Sequence, residues 1–211
     1  MDRIEQIQFF QKKIKVSRET LNILLKFEEL LKKSNKSLNL IGNSTINNIW
    51  IRHFTDSAQL IDLIDKNDSI LIDVGTGAGL PGIVLSIVLK DRKQALDIKL
   101  IEKSKKKASF LKDVIRKLNL KAQVMNINLL DHEPYLVGDI ITARAFKPLD
   151  IFLSVLQKKV KKYKKIIIFL GKTGKNQIEE ASKTWDIKYN QRVSITNNDS
   201  LILEINNFKK K

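Results

Sequence analysis

The chain has 211 residues, 43% of them hydrophobic, and carries 39 Lys and Arg against 23 Asp and Glu for a net charge of +16. It has no cysteine and only two histidines, His53 and His132. That excludes disulfides and thiolate metal sites, argues against a histidine-built metal site, and fits a reducing cytoplasm. No apolar run approaches the ~18 residues of a membrane span, and MDRIEQIQFF lacks the basic-then-apolar order of a secretory signal. So strong a positive balance points to a polyanionic partner, most often nucleic acid, although the abundance of Lys, Asn and Ile also follows from a low-GC genome.

Residues 1–66 read as a helical extension ahead of a second unit, 67–211. In SRETLNILLKFEELLKKS, Leu21, Leu24, Leu25, Phe27, Leu30 and Leu31 recur at helical spacing, with Ser17 as N-cap. A polar break is expected at Asn35 to Ser37, then SLNLIGNST and a second helical region, INNIWIRHFTDSAQLIDLI. Beyond residue 68 the rhythm changes. SILIDVG, DIKLIEK, AQVMNIN, GDIITARAF and KKIIIFLGK read as strands, and GIVLSIVLK, KKKASFLKDVIRKLNL and residues 148–162 as helices. Strands apolar on both faces and alternating with helices are the pattern of a covered parallel sheet. The last segments, DIKYNQRVSI and SLILEIN, are expected to form an antiparallel hairpin turned by TNND, with FKKK as a frayed tail. The whole reads as an α/β nucleotide-type fold.

DVGTGAGLPG, Asp73 to Gly82, holds four of the chain's eight glycines. It follows a strand and precedes a helix, where ligands of open α/β sheets bind. Gly75, Gly77 and Gly79 let the chain turn sharply and let a ligand lie against the backbone. Pro81 suits a first helical turn, and the helix N-terminus attracts negative charge. Two chemistries share this layout. Gly77 to Gly82 fits the dinucleotide pattern, with Glu102 twenty residues further on as the ribose acid. Alternatively, Asp73 opens an acid-G-x-G-x-G pattern typical of S-adenosylmethionine (SAM) sites. An acid at the strand end suits an ammonium and a sulfonium and opposes a pyrophosphate, and Pro81 removes a donor that a pyrophosphate would use. The balance favours SAM over NAD(P). In either reading Glu102 accepts both ribose hydroxyls; the alternative is an ordinary strand-end acid neutralised by Lys103, Lys105, Lys106 or Lys107.

Other positions carry two readings each. His53 and Asp56 in RHFTDS stand at i and i+3; they shape the cofactor pocket, with Arg52 reaching phosphate, or they form a hydrogen-bond network pinning the helices. Asn39 lines the pocket or is a plain turn residue. Arg144 ends the fourth strand, where it holds cofactor or phosphate. Phe146 stacks on a target base or packs in the core. Lys105, Lys106 and Lys107, with Lys103, and the run from Lys158 to Lys165 are solvated faces or phosphate contacts. Gly171-Lys172-Thr173 evokes a P-loop, but Ile166 stands where that motif needs glycine, so ATP binding is rejected.

DVGTGAGLPGI, the upstream NLI and RHFTDS, and the downstream EKSKKKASFL and ARAF occur in one order. Together they resemble the bacterial 16S rRNA guanine-N7 methyltransferase G family, also called glucose-inhibited division protein B, from about residue 17 to the final hairpin. The resemblance implies a Rossmann-like class I SAM-dependent methyltransferase sheet with an N-terminal helical extension and an antiparallel C-terminal hairpin. It implies SAM as methyl donor, a guanine N7 of 16S rRNA or the small ribosomal subunit as acceptor, and a cytoplasmic monomer without membrane contact. It implies cofactor contacts at Gly75, Leu80, Leu129, Leu130 and Arg144. The family often has an acid where Leu130 stands, and reads L-K-G where this chain has LGKTG, so that Lys172 stands for its lysine. N7 attacks without first losing a proton, so no general base is expected. A small NAD(P)-dependent oxidoreductase, lacking an evident second domain or Tyr–Lys pair, and a non-catalytic RNA-binding module are the competing readings.

Overall fold

A computed structural model describes residues 1–92, 94–131, 135–144 and 148–211. Helix α1 (Arg3–Ile14) opens with a capping box, in which the Glu5 amide donates to Asp2 Oδ1 (2.9 Å) and the Asp2 amide to Glu5 Oε2 (2.8 Å). Helix α2 (Arg18–Leu38) is capped by Ser17, as its sequence predicts, but it runs through the expected break at Asn35 to Ser37. Asn35 is buried and its Oδ1 accepts the Ile41 amide at 2.8 Å, so its polarity serves the turn after the helix. Asn39 closes that turn as a left-handed C-cap, φ 46°.

The second helical region is not one α-helix. A 3₁₀ stretch (Asn43–Asn48) leads to a π turn (Trp50–Thr55), then α3 (Asp56–Ala58) and another 3₁₀ stretch (Gln59–Leu63). The Thr55 hydroxyl donates to the Trp50 carbonyl at 2.7 Å, which accompanies the wide turn.

The remaining elements are β1 (Ile70–Val74), α4 (Gly82–Asp91), β2 (Asp97–Ile101), α5 (Lys105–Leu118), β3 (Ala122–Met125), β4 (Leu136–Val137), β5 (Ile140–Arg144), α6 (Leu149–Lys159), β6 (Val160–Lys162), β7 (Lys165–Leu170), α7 (Gly174–Thr184), β8 (Trp185–Ser194) and β9 (Asn197–Lys210). Seven strands form one sheet in the order β3-β2-β1-β5-β7-β9-β8. The first five are parallel, and β9 and β8 are antiparallel. The order reverses at β1, with β2 on one side and β5 on the other.

Three further local expectations are corrected, and one helix carried no sequence signal. The helix expected over residues 148–162 ends at Lys159, because 160–162 peel away to pair with β4. Helix α7 went unread; Ile178 and Ala181 are the only hydrophobic residues it buries, too few to signal a period. The tail is strand rather than frayed: Lys210 pairs with Trp185, and Phe208 packs on Trp185 and Tyr163 at 5.5 and 6.0 Å between ring centroids. The hairpin turns at Ile195-Thr196, with Ser194 opposite Asn197, rather than at TNND.

Two apolar layers cover the sheet. One joins α2, α4 and α5 to the N-terminal segment through Phe10, Phe27, Trp50 and Phe54, whose rings meet at 5.0–5.4 Å. The other packs α6 and α7 on the opposite face. The extension therefore shares a core with the sheet, and its RHFTDS segment comes to lie beside the C-terminal ends of the strands. No described helix is long and apolar enough to cross a membrane.

Candidate functional site

The glycine turn leaves β1 at its C-terminal end. Gly75, Gly77 and Gly79 all adopt left-handed φ values, 67°, 57° and 90°, which only glycine takes without strain. A Cβ on Gly77 would find a single atom within 4 Å, the Gly75 carbonyl at 3.9 Å, so the backbone here faces open space. Gly79 and Gly82 are different: a Cβ on Gly79 would stand 2.4 Å from Ile83, so it packs on α4 rather than facing a ligand, and one on Gly82 would collide with Leu100 and stand 2.9 Å from Asp73 Oδ2.

Asp73 holds the loop from beneath. It is fully buried, and its Oδ2 accepts the Thr76 hydroxyl (2.6 Å) and the Gly82 amide (2.9 Å). Its Oδ1 is buried without a partner. Burial pushes this carboxyl up to about 6, against the opposing pull of those bonds and of Arg144. Leu80 is buried, and its peptide bond to Pro81 is cis.

Glu102 follows β2. Its Oε2 accepts the Gly77 amide at 3.0 Å and its Oε1 the Ser104 amide at 2.8 Å. A carboxylate offers about four lone-pair sites, so two remain for a ligand. Asn126 donates to the Glu102 carbonyl at 2.8 Å and ties β3 to this corner. Beyond it, Leu129 is buried in the core under α6, whereas Leu130 is half exposed.

The second half of the site centres on Arg144 at the end of β5. Its Nη2 lies 3.3 Å from Asp56 Oδ2 and also donates to the Arg52 carbonyl, while Nη1 is buried with no partner among the described residues. The Asp56 Oδ1 accepts from Gln59 Nε2 (2.9 Å), Ser194 Oγ (2.8 Å) and Thr196 Oγ1 (2.9 Å). The Gln59 Oε1 accepts the Ile195 amide at 3.0 Å. One acid thus fastens β5 and the hairpin tip to the extension. Neighbouring His53 is buried, with Nε2 2.8 Å from Thr45 Oγ1 and Nδ1 unpartnered. Burial, then the charges of Arg144 and Arg52, push it down to about 3, so it is neutral.

A cavity of about 370 Å³ opens beside this network, lined among others by Arg52, Arg144, Phe169, Gly171, Gln177 and Asn197. Lys172 is exposed and is not among its lining residues. Arg52 is exposed at the rim. Lys105, Lys106 and Lys107 make the first turn of α5, with no acid among them. That placement opposes the helix dipole, so helix stability does not account for it. Phe146 and His132 lie outside the described residues.

Sequence reasoning missed Gln59, Ser194, Thr196, Phe169 and Gln177. Gln59 carries a faint signal, one helical turn after Asp56. The others carry none, since the groups that bring them to the site, Asp56, Arg144 and Leu149, belong to other elements of the chain.

The family model for rRNA small subunit methyltransferase G matches residues 20–203. The protein of Pelagibacter ubique named ribosomal RNA small subunit methyltransferase G is 42% identical over 198 residues, covering 93% of this chain and 92% of that one. Its namesake in Rickettsia rickettsii (strain Sheila Smith) is 37% identical over 197 residues, 93% and 99% of the two chains. Among solved structures, an O-methyltransferase from Bacillus cereus in complex with SAH superposes with a TM-score of 0.56 at 16% identity, over 86% and 91% of the chains. TrmK of M. capricolum in complex with S-adenosyl-homocysteine does so with 0.53 at 21% identity, over 71% and 66%. The oxidoreductase and non-catalytic readings find no support among these matches. With the glycine loop, the acid after β2 and the RHFTDS network in one frame, this chain belongs to the rRNA small subunit methyltransferase G family and has the class I SAM-dependent methyltransferase fold.

Proposed function

We propose that this protein transfers a methyl group from SAM to N7 of a guanine in the 16S rRNA of the small ribosomal subunit, as a monomer in the cytoplasm. The observation that carries the reading is the Glu102 carboxylate bonded to the Gly77 amide, at a glycine whose side-chain space is open. The residues present fit SAM. Glu102 has two lone-pair sites left for the ribose hydroxyls, Gly77 admits close approach, and the buried Nη1 of Arg144, unpartnered among the described residues, needs an acceptor. Leu80 and Leu129 add apolar walls; Leu130 is available through its backbone.

When bound, SAM supplies an electrophilic methyl on a positively charged sulfur. A guanine N7 lone pair lies in the ring plane and needs no deprotonation, so these residues have to align rather than to move protons. That agrees with His53, which stays neutral near pH 7 and hydrogen-bonds Thr45. Transfer leaves the total charge of the reacting pair unchanged, so no new counter-charge is required in the crevice. Arg52 and the Lys105–Lys107 turn supply positive charge for rRNA phosphates.

Mass spectrometry of rRNA nucleosides from cells with and without the active protein tests the reading. A 7-methylguanosine lost from small-subunit rRNA when the protein is inactivated is the expected result. An unchanged nucleoside profile overturns it.

A further inference from the structure

Resting on the methyl-transfer reading above, we propose that the tip of the β8–β9 hairpin, through Asn197 and Ser200, reads the far edge of the acceptor guanine and sets the choice of base. The argument begins with position along the sheet. Glu102 follows β2 and the glycine loop follows β1, so a ligand anchored there has its distal end at the β1/β5 gap, where the strand order reverses. The next feature along the same edge is the cavity over β5 and β7. Its volume of about 370 Å³ is at the low end of the roughly 300–1,000 Å³ of small-ligand pockets, which suits one nucleotide. N7 of a base inside an A-form duplex faces a deep, narrow groove closed to side chains. The acceptor therefore enters as an extruded or unpaired base.

Orientation follows from the chemistry. With N7 turned toward the β1/β5 gap, the 2-amino group and N1–H lie toward the opposite end of the purine, at the hairpin tip. Both are donors and need acceptors. Gln177 is committed at both ends of its amide, to the Leu149 amide (3.3 Å) and Thr173 Oγ1 (3.0 Å). Thr196 is committed to Asp56 at 2.9 Å. Asn197 Oδ1 accepts only the Asp199 amide, at 3.0 Å, and keeps one lone pair. Ser200 makes no side-chain bond among the described residues. Gln177 Oε1 and the Thr196 hydroxyl keep lone pairs too, but Gln177 Nε2 and the Thr196 proton are fixed to Thr173 and Asp56, so Asn197 and Ser200 are the least committed side-chain acceptors among the cavity's described lining residues. A purine without the 2-amino group leaves them unmatched.

A hairpin tip is ordinarily mobile. This one is pinned by buried groups of the N-terminal extension, Asp56 and Gln59, which take Ser194, the Ile195 amide and Thr196 at 2.8–3.0 Å. Holding recognition groups rigid before the ligand arrives is what selectivity requires.

The test uses the full chain, SAM, and small-subunit RNA carrying either guanine or inosine at the mapped position; inosine keeps N7 and lacks the 2-amino group. The wild type is expected to prefer guanine by about tenfold in kcat/KM. The Asn197→Ala/Ser200→Ala double variant should lose that preference, to within about twofold, with SAM affinity by calorimetry unchanged. Asn197→Asp, which keeps acceptor oxygens, should retain it. If the double variant fails to bind SAM, the two single variants carry the same comparison. A wild type without preference, or a variant that keeps it whatever its rate, overturns the proposal. Absence of transfer by the wild type to either RNA overturns the methyl-transfer reading itself.

Discussion

Arg144 Nη2 stands 3.3 Å from Asp56 Oδ2, with side-chain exposures of 19% and 11%. This ion pair joins the end of β5 to the N-terminal extension, and the other oxygen of Asp56 holds the hairpin tip. Half of the candidate site is therefore assembled by one carboxylate from outside the sheet.

Asp56→Ala should destabilise the fold by about 3 kcal/mol, since it strands a buried guanidinium and the hydroxyls of Ser194 and Thr196. Urea unfolding measures it. A change below about 0.5 kcal/mol would mean that the network is incidental.

Glu102 serves both the loop, through the Gly77 and Ser104 amides, and the proposed ribose. Glu102→Ala should weaken SAM binding by roughly tenfold to a hundredfold. Unaltered affinity by calorimetry would remove Glu102 from the cofactor site.

Two buried groups titrate in opposite senses. His53 is pushed down to about 3 from 6.5, so its contribution is present above pH 6.5 and lost as pH falls toward 3. Asp73 is pushed up to about 6 from 3.8, so its contribution is present below pH 3.8 and lost as pH rises through 6. Each is worth roughly 3–5 kcal/mol over its window. Urea unfolding between pH 4 and 7 should show His53→Gln losing stability as pH rises, and Asp73→Asn gaining it more steeply than the wild type. Parallel curves for all three proteins would contradict both assignments.

Gly82→Ala should lower stability by about 2–3 kcal/mol, because its Cβ meets Leu100 and Asp73 inside a packed turn. Gly171→Ala, with nothing within 4 Å, is the matched control and should be neutral within about 0.5 kcal/mol. Comparable losses in thermal unfolding of the two variants would contradict this packing argument.

Much of the fold was legible because its signals are local. Apolar runs such as Ile166 to Leu170 mark buried strands, Ser17 marks a helix start, and the glycines after Asp73 mark the turn where a ligand meets the backbone. Helix α7 was not legible, because it buries little. The strand character of the tail depends on Trp185 and Tyr163 offering Phe208 a surface.

The sequence by itself determined the alternation of strands and helices, the ligand-facing loop and the acid after β2, since neighbouring residues set backbone conformation and which face is buried. Only the tertiary structure decided that Asp73 lies beneath the loop, that Asp56 binds Arg144, and that Ser194 and Thr196 close the same network. Asp56 and Arg144 stand 88 residues apart, and the Asp56 bonds to Ser194 and Thr196 span 138 and 140 residues. No spacing rule encodes them, because burial and the crossing of the chain choose which polar groups must satisfy one another.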